Sequence, residues 1–285
     1  MAKLIQKGKR KAVKTIAHKA KVGRSACVMK PECLNLIENF RLMDDTFMSK
    51  CFENAPECIE LILRIILGKK DLKVVKSQTE YPIKSLQGRG VRFDVFARDS
   101  KDREYDIEIQ CADHGAEPKR ARYNSALMDA NALKSGEDFC KLRDTYVIFI
   151  TENDVMKRGK DMYAFDRMDK DDGLELCDGT HIIYVNGETR SKSDIGKLVH
   201  DLLCPNAAEM YFDVLKRQVD HFKNSEEGRH VMCKAMEKIK AEGKRETMLA
   251  TAKRLLANGK LMLKEIAECT GLSLAQVKKL QAAQA

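Results

Sequence analysis

Between Val91 and Gln110 the chain alternates apolar and polar residues twice, with a charged break between the two runs. Val91, Phe93, Val95 and Ala97 alternate with Arg92, Asp94, Phe96 and Arg98; Tyr105, Ile107 and Ile109 then alternate with Asp106, Glu108 and Gln110. A period of two marks a strand with one buried face. The intervening residues 99–103, DSKDR, suit a hairpin loop. Closing that loop predicts a register in which Arg98 faces Glu104, Asp94 faces Glu108 and Arg92 faces Gln110. Directly opposed residues have Cβ atoms about 4.5–5.5 Å apart, where two carboxylates repel unless a cation neutralises them. Mg²⁺ suits that role, because it takes oxygen ligands and is commonly held by one or two carboxylates with water and phosphate. Asp94 and Glu108 are therefore candidate metal ligands and catalytic residues for phosphodiester chemistry. Alternation alone equally fits a polar strand facing solvent.

An apolar helical segment precedes the hairpin; PKRARYNSALMDANAL and the apolar strand DTYVIFI follow it. The pieces that stand out are Asp45 with Phe47 and Lys50-Cys51-Phe52, then GRGVRFDVFA, YDIEIQ, KRARYNSALMD and a late VNGETR. In order and spacing they resemble the PD-(D/E)xK nucleases. More narrowly, they resemble the recombination-promoting nuclease and transposase branch, where glutamine often replaces the lysine of ExK. The resemblance implies an α/β, restriction-endonuclease-like fold: a mixed central sheet flanked by helices, with a helical C-terminal extension. It further implies Mg²⁺ (Mn²⁺ able to substitute) held by Asp94, Glu108 and the Ile109 carbonyl, with Gln110 in the lysine's place. An amide can orient water but adds no positive charge and is no useful base. Asp106 shares the Glu108 face, opposite Phe96, and is a lesser candidate.

Pro118 fits the first turn of a helix, on which Arg120 and Tyr123 share a face. By resemblance that face borders the site, as a support for it; otherwise it is a solvated basic helix end. Asp45 is an N-cap candidate by position, or, by resemblance, an extra acid near the metal. Helices are expected over residues 44–52, 57–67, 195–203, after Asn206, and 229–258. Strands are expected over 72–76, 145–150, 162–167 and 181–185, with residues 80–84 an extended link.

Charge is unevenly placed. Residues 1–25 carry Lys3, Lys7, Lys9, Arg10, Lys11, Lys14, Lys19, Lys21 and Arg24 and no acid, which accounts for the whole formal charge of +9. Residues 1–30 read as a mobile basic arm, attracted to nucleic acid through Lys9, Arg10 and Lys11 or simply solubilising. Residues 31–225 read as the nuclease-like domain and 226–285 as a helical region. The latter ends in LMLKEIAECTGLSLAQVKKL, which fits a helix-turn-helix pattern. Ser273, Gln276 and Lys279 would face outward on its second helix and contact DNA; a packing hairpin is the alternative.

Several classes are disfavoured. GRG at 88–90 lacks the Walker spacing and its lysine. The ten cysteines show no CxxC pair and are expected to be small buried residues, and the six histidines form no HxH or HxxxH pair. DKDDG at 169–173 lacks the EF-hand ligand order. No apolar run reaches membrane-spanning length and no secretory h-region is evident, so a cytoplasmic protein without a membrane partner is expected. The leading expectation is a Mg²⁺-dependent DNA endonuclease, a homodimer if it cuts both strands. The alternatives are a catalytically decayed nuclease fold acting as a DNA-binding factor, and a scaffold with no nucleic acid partner.

Overall fold

The computed structural model describes residues 31–85, 88–111 and 115–283; the arm with Lys9, Arg10 and Lys11 lies outside them. Helices α1 (Pro31–Asn39), α2 (Asp45–Phe52) and α3 (Pro56–Leu67) precede the sheet. In α3 the local rules are plain. Pro56 occupies the first turn, and Cys58, Ile59, Ile62, Leu63 and Ile66 recur at helical spacing and are all buried. Gly68 then ends the helix at φ 64°.

Strands β1 (Val74–Ile83), β2 (Val91–Asp99), β3 (Glu104–Gln110), β4 (Thr145–Thr151), β5 (Met162–Phe165) and β6 (Thr180–Asn186) form one mixed sheet in the order β1-β2-β3-β4-β6-β5. β3, β4 and β6 run parallel, and the remaining pairs are antiparallel. Helix α4 (Pro118–Ala132) is the crossover from β3 to β4. One face of the sheet, with Val95, Ala97, Tyr105, Ile107, Ile109, Ile148 and Val185, packs in the core formed with α2, α3, α5 (Asp194–Leu203) and α6 (Asp213–Asn224). The other face, with Phe96, Val147, Phe149 and Tyr184, packs on Ala121, Leu127 and Met128 of α4. Coverage on both sides explains why every residue of β4 is buried.

The separate strand at 72–76 and link at 80–84 are corrected to one strand, β1. It is an edge strand with exposed polar residues, Glu80 has φ 50°, and Pro82 is tolerated there; these features hide it from periodicity. β5 ends at Phe165, two residues early, because its ladder with β6 closes at Phe165↔Ile182. Cys51, Cys58, Cys204 and Cys233 are buried as expected, whereas Cys111, Cys140, Cys177 and Cys269 are exposed. Lys223 of α6 is buried and donates to the carbonyls of Glu38 (2.8 Å), Phe40 (2.5 Å) and Pro205.

Helix α7 (Glu226–Asn258) starts three residues before the expected position, because Ser225 caps it by accepting from the Gly228 N–H. Met232 and Cys233 anchor it to the main core, residues 237–247 are exposed all round, and Ala252 enters a second small core. That core is completed by Ile266 of α8 (Leu263–Thr270), Leu272, and Val277 of α9 (Leu274–Ala282). Gly271, at φ 72°, makes the turn between α8 and α9.

Candidate active site

The hairpin has the expected register over only part of its length. β2 and β3 pair from Arg98↔Glu104 to Val95↔Ile107. Beyond that point β2 stays on β1 as far as Val91↔Ile83, while β3 stays on β4 as far as Gln110↔Thr151. The strands therefore part company, and Asp94 and Glu108 stand at the mouth of the fork. Asp94 reaches across it, its Oδ2 accepting from the Ile109 N–H at 2.9 Å. The expected opposition of Arg92 and Gln110 does not form, because Arg92 pairs with Pro82 on β1 and lies 3.5 Å from Glu80. The apolar face also changes at the fork: Val91 and Phe93 pack toward α4, whereas Val95 and Ala97 pack toward the opposite core.

Helix α4 supplies the polar partners. Arg120 pairs with the fully buried Glu108 through Nη2, donates from Nη1 to the Gly115 carbonyl at 2.7 Å, and lies 5.6 Å over the Phe149 ring. One turn on, Asn124 donates from Nδ2 to Asp106 Oδ2 at 2.8 Å and reaches Glu108 Oε1 at 3.4 Å. Asp106 Oδ1 and Asn124 Oδ1 are buried and have no hydrogen-bond partner among the described residues.

These surroundings disfavour charge on the carboxyls. Burial pushes Asp94 up to about 6; the Ile109 N–H pulls against it, and the charge of Asp45 adds to it. Burial, then repulsion from Asp94, pushes Glu108 up to about 7 against the opposing pull of Arg120. Asp106 is lifted well above its ordinary value by burial and then by the charge of Glu108, against the Asn124 hydrogen bond. It faces Phe96, as the alternation predicts.

Gln110 lies at the lip of the fork. A Cβ on Gly115, at φ 109°, would come within 2.7 Å of Gln110 Oε1 and 3.0 Å of Arg120 Nη1, so a glycine there leaves space for both side chains. Tyr123 points elsewhere than Arg120, its hydroxyl donating to the Arg89 carbonyl at 2.6 Å. Asp45 is not the N-cap of α2. Asp44 holds that position and accepts from the Arg41 N–H at 2.7 Å, while Asp45 is the exposed first residue of the helix. Ser273 is not on the outer face of α9 but caps it, accepting from the Gln276 N–H at 3.3 Å; Gln276 Oε1 accepts the Ser273 N–H in return at 2.9 Å. Lys279 is exposed on α9, away from the fork in sequence and packing.

Sequence reasoning missed Asn124, whose signal was its place four residues after Arg120. It also missed Arg41, which bonds Glu152 at 2.8 Å while the Glu152 N–H holds the Gln110 carbonyl at 3.0 Å, tying the end of β3 to the start of β4's outgoing loop. Asp94, Arg120 and Asn124 line a cleft of about 810 Å³ between the start of β2 and α4, with the buried Glu108 behind them. Another groove, of about 740 Å³ along residues 189–192 and α5, has no carboxylate in its lining.

Among the described residues no three His, Cys, Asp or Glu side chains converge as a closed metal cage. The donor set at the fork, two carboxylates in mutual repulsion with one Asp94 oxygen outside any described hydrogen bond, fits a hard cation that keeps much of its water. A family model described as PD-(D/E)XK nuclease family transposase matches residues 51–255. No curated protein and no solved structure matches the chain.

Proposed function

This chain belongs to the PD-(D/E)XK nuclease family transposases, and we propose that it is a Mg²⁺-dependent DNA endonuclease with its active site at the Asp94–Glu108 fork. The observation that carries the reading is the approach of the half-buried Asp94 to the buried Glu108, each pushed toward neutrality, where β2 and β3 diverge. Asp94 and Glu108 would hold the metal, with Mn²⁺ able to replace Mg²⁺ and the Ile109 carbonyl as a further ligand. The metal, when bound, supplies water activation and neutralises charge growing on the phosphoryl oxygens.

The other parts act through the chain's own atoms. The Ile109 N–H fixes the Asp94 carboxylate in the fork. Asn124 and Asp106 orient Glu108 from behind. Arg120 neutralises Glu108 when no metal is present and supplies positive charge beside the phosphate when one is. Gln110, on the open side of Gly115, orients a water by its amide and takes no proton. No helix among the described residues is long and apolar enough to cross a membrane.

The Arg120–Glu108 pair favours one second reading. An arginine that already satisfies the acid suits a nuclease fold that has kept DNA binding and lost cleavage. Cleavage of supercoiled plasmid separates the two. With Mg²⁺ or Mn²⁺, the intact chain is expected to give nicked or linear product, abolished by EDTA and by Asp94→Ala. Equal activity in both proteins would remove the fork from the chemistry, and DNA binding without cleavage would favour the second reading.

A further inference from the structure

The cleft above the carboxylates has two basic walls. On one side stand Arg89, in the GRG turn between β1 and β2, and Arg92 at the start of β2; on the other stand Lys119 and Arg122 of α4. All four are exposed. Arg89, Lys119 and Arg122 form no ion pair within the described residues, and Arg92 has only the exposed Glu80 at 3.5 Å, a contact of little worth in water. Arg120 alone pairs with Glu108, and although the charge of Arg92 favours an ionised Asp94, both carboxyls remain pushed toward neutrality. Three unpaired cations and the weakly paired Arg92 therefore line one cleft that also carries Asp94.

The Arg89 wall is held in place. Tyr123 on α4 donates its hydroxyl to the Arg89 carbonyl at 2.6 Å, and the Gly88 N–H donates to Ser85 Oγ at 3.0 Å. A Cβ on Gly90 would lie 3.1 Å from the Ile83 carbonyl oxygen, so a small residue lets the turn close down on β1. The turn that lacks a Walker lysine thus presents an arginine side chain from a seated backbone. Three of the four cations are guanidinium groups, whose planar donor forks match phosphate oxygens.

We propose that Arg89 and Arg92 on one wall and Lys119 and Arg122 on the other clamp the nucleic-acid phosphates flanking the bond presented to the fork, with Tyr123 as the positioning residue for the Arg89 wall. The location of that bond rests on the nuclease reading; the grip on phosphates does not. Such contacts fix the strand without reading its bases.

The test is fluorescence anisotropy of a labelled duplex with the full chain in EDTA, titrated over a range of salt. Each lost phosphate contact lowers the slope of log K against log salt by about 0.9. The Arg89→Ala/Arg92→Ala and Lys119→Ala/Arg122→Ala pairs are each expected to lower it by about 2, and the quadruple variant by about 3–4. Tyr123→Phe keeps the ring and drops the hydroxyl, and is expected to cost about one contact in slope at unchanged melting temperature. Both pair variants alter exposed side chains, so a failure of one to fold leaves the other to decide. A wild-type slope in the folded variants, or no DNA binding by the intact chain at low salt, overturns the clamp. Cleavage that depends on Asp94 with unchanged slopes overturns the clamp alone; reduced slopes without any cleavage support the clamp and overturn the nuclease reading alone.

Discussion

Replacing Asp94 by asparagine is expected to stabilise the metal-free protein while removing its proposed cleavage. Asp94 Oδ2 accepts from the Ile109 N–H, and an asparagine oxygen can accept the same bond. What the substitution removes is a charge held in a poorly solvated place. The carboxyl moves from an ordinary 3.8 to about 6, and at about 1.36 kcal/mol per pH unit the ionised form is disfavoured by about 3 kcal/mol in the native state. Relaxation and water entry reduce that ceiling, so a gain of about 2 kcal/mol is expected, or about 4–8 °C in melting temperature for a domain of this size. The folded value lies above the unfolded one, so the native state binds the proton first. The stability of the wild type relative to Asp94→Asn therefore falls as pH rises from 3.8 through about 6 and levels off above. Urea unfolding in EDTA at pH 4, 6 and 8 measures this directly. Adding Mg²⁺ at pH 8 should then reverse the order, since a cation at 100 times its Kd adds about 2.7 kcal/mol to the protein that binds it. An asparagine variant no more stable than wild type at pH 8, or a gap of equal size at pH 4, would refute the account of Asp94 as a charge held against the cost of burial.

Arg120→Met strips Glu108 of the charge that lowers its proton affinity; the acidic limb of the cleavage rate against pH is expected to move to higher pH, with at least a tenfold loss at pH 7 read by plasmid nicking. Lys223→Met leaves the carbonyls of Glu38 at the end of α1, Phe40 after it and Pro205 after α5 without their donor, and urea denaturation should show a loss of about 2–4 kcal/mol. Ser273→Ala removes the cap of α9, so hydrogen exchange should quicken in α8 and α9 by an amount matching about 1 kcal/mol while the sheet's protection is unchanged.

The sequence carries the hairpin because both its strands obey a two-residue period and the charged break sets the loop length. It carries the pairing from Arg98↔Glu104 to Val95↔Ile107, the part of the ladder nearest the loop that sets its register. It does not carry the fork. Where β2 and β3 separate, each follows its outer neighbour, and neither Ile83 nor Thr151 is close in sequence to the carboxylates. β1 was hidden for a related reason: an edge strand needs no continuous apolar run, and Glu80 and Pro82 read as a break. Asn124 looks like any polar helix residue until Asp106 and Glu108 are seen beneath it. The helix-turn-helix pattern places Ser273 on the second helix, whereas its reciprocal bonds with Gln276 make it the exposed cap just before that helix.

The bare middle of α7, residues 237–247, makes the direction in which the C-terminal helix pair faces a matter of counting. Each residue of a helix advances about 1.5 Å and turns about 100°. Losing one residue from this stretch would swing α8 and α9 about 100° around the helix axis while moving them by little more than a bond length. Losing seven, close to two full turns, would shorten the reach by about 10 Å and leave the facing almost unchanged. Since 237–247 buries no side chain that would resist either change, the angular setting of the pair is written in the length of that stretch.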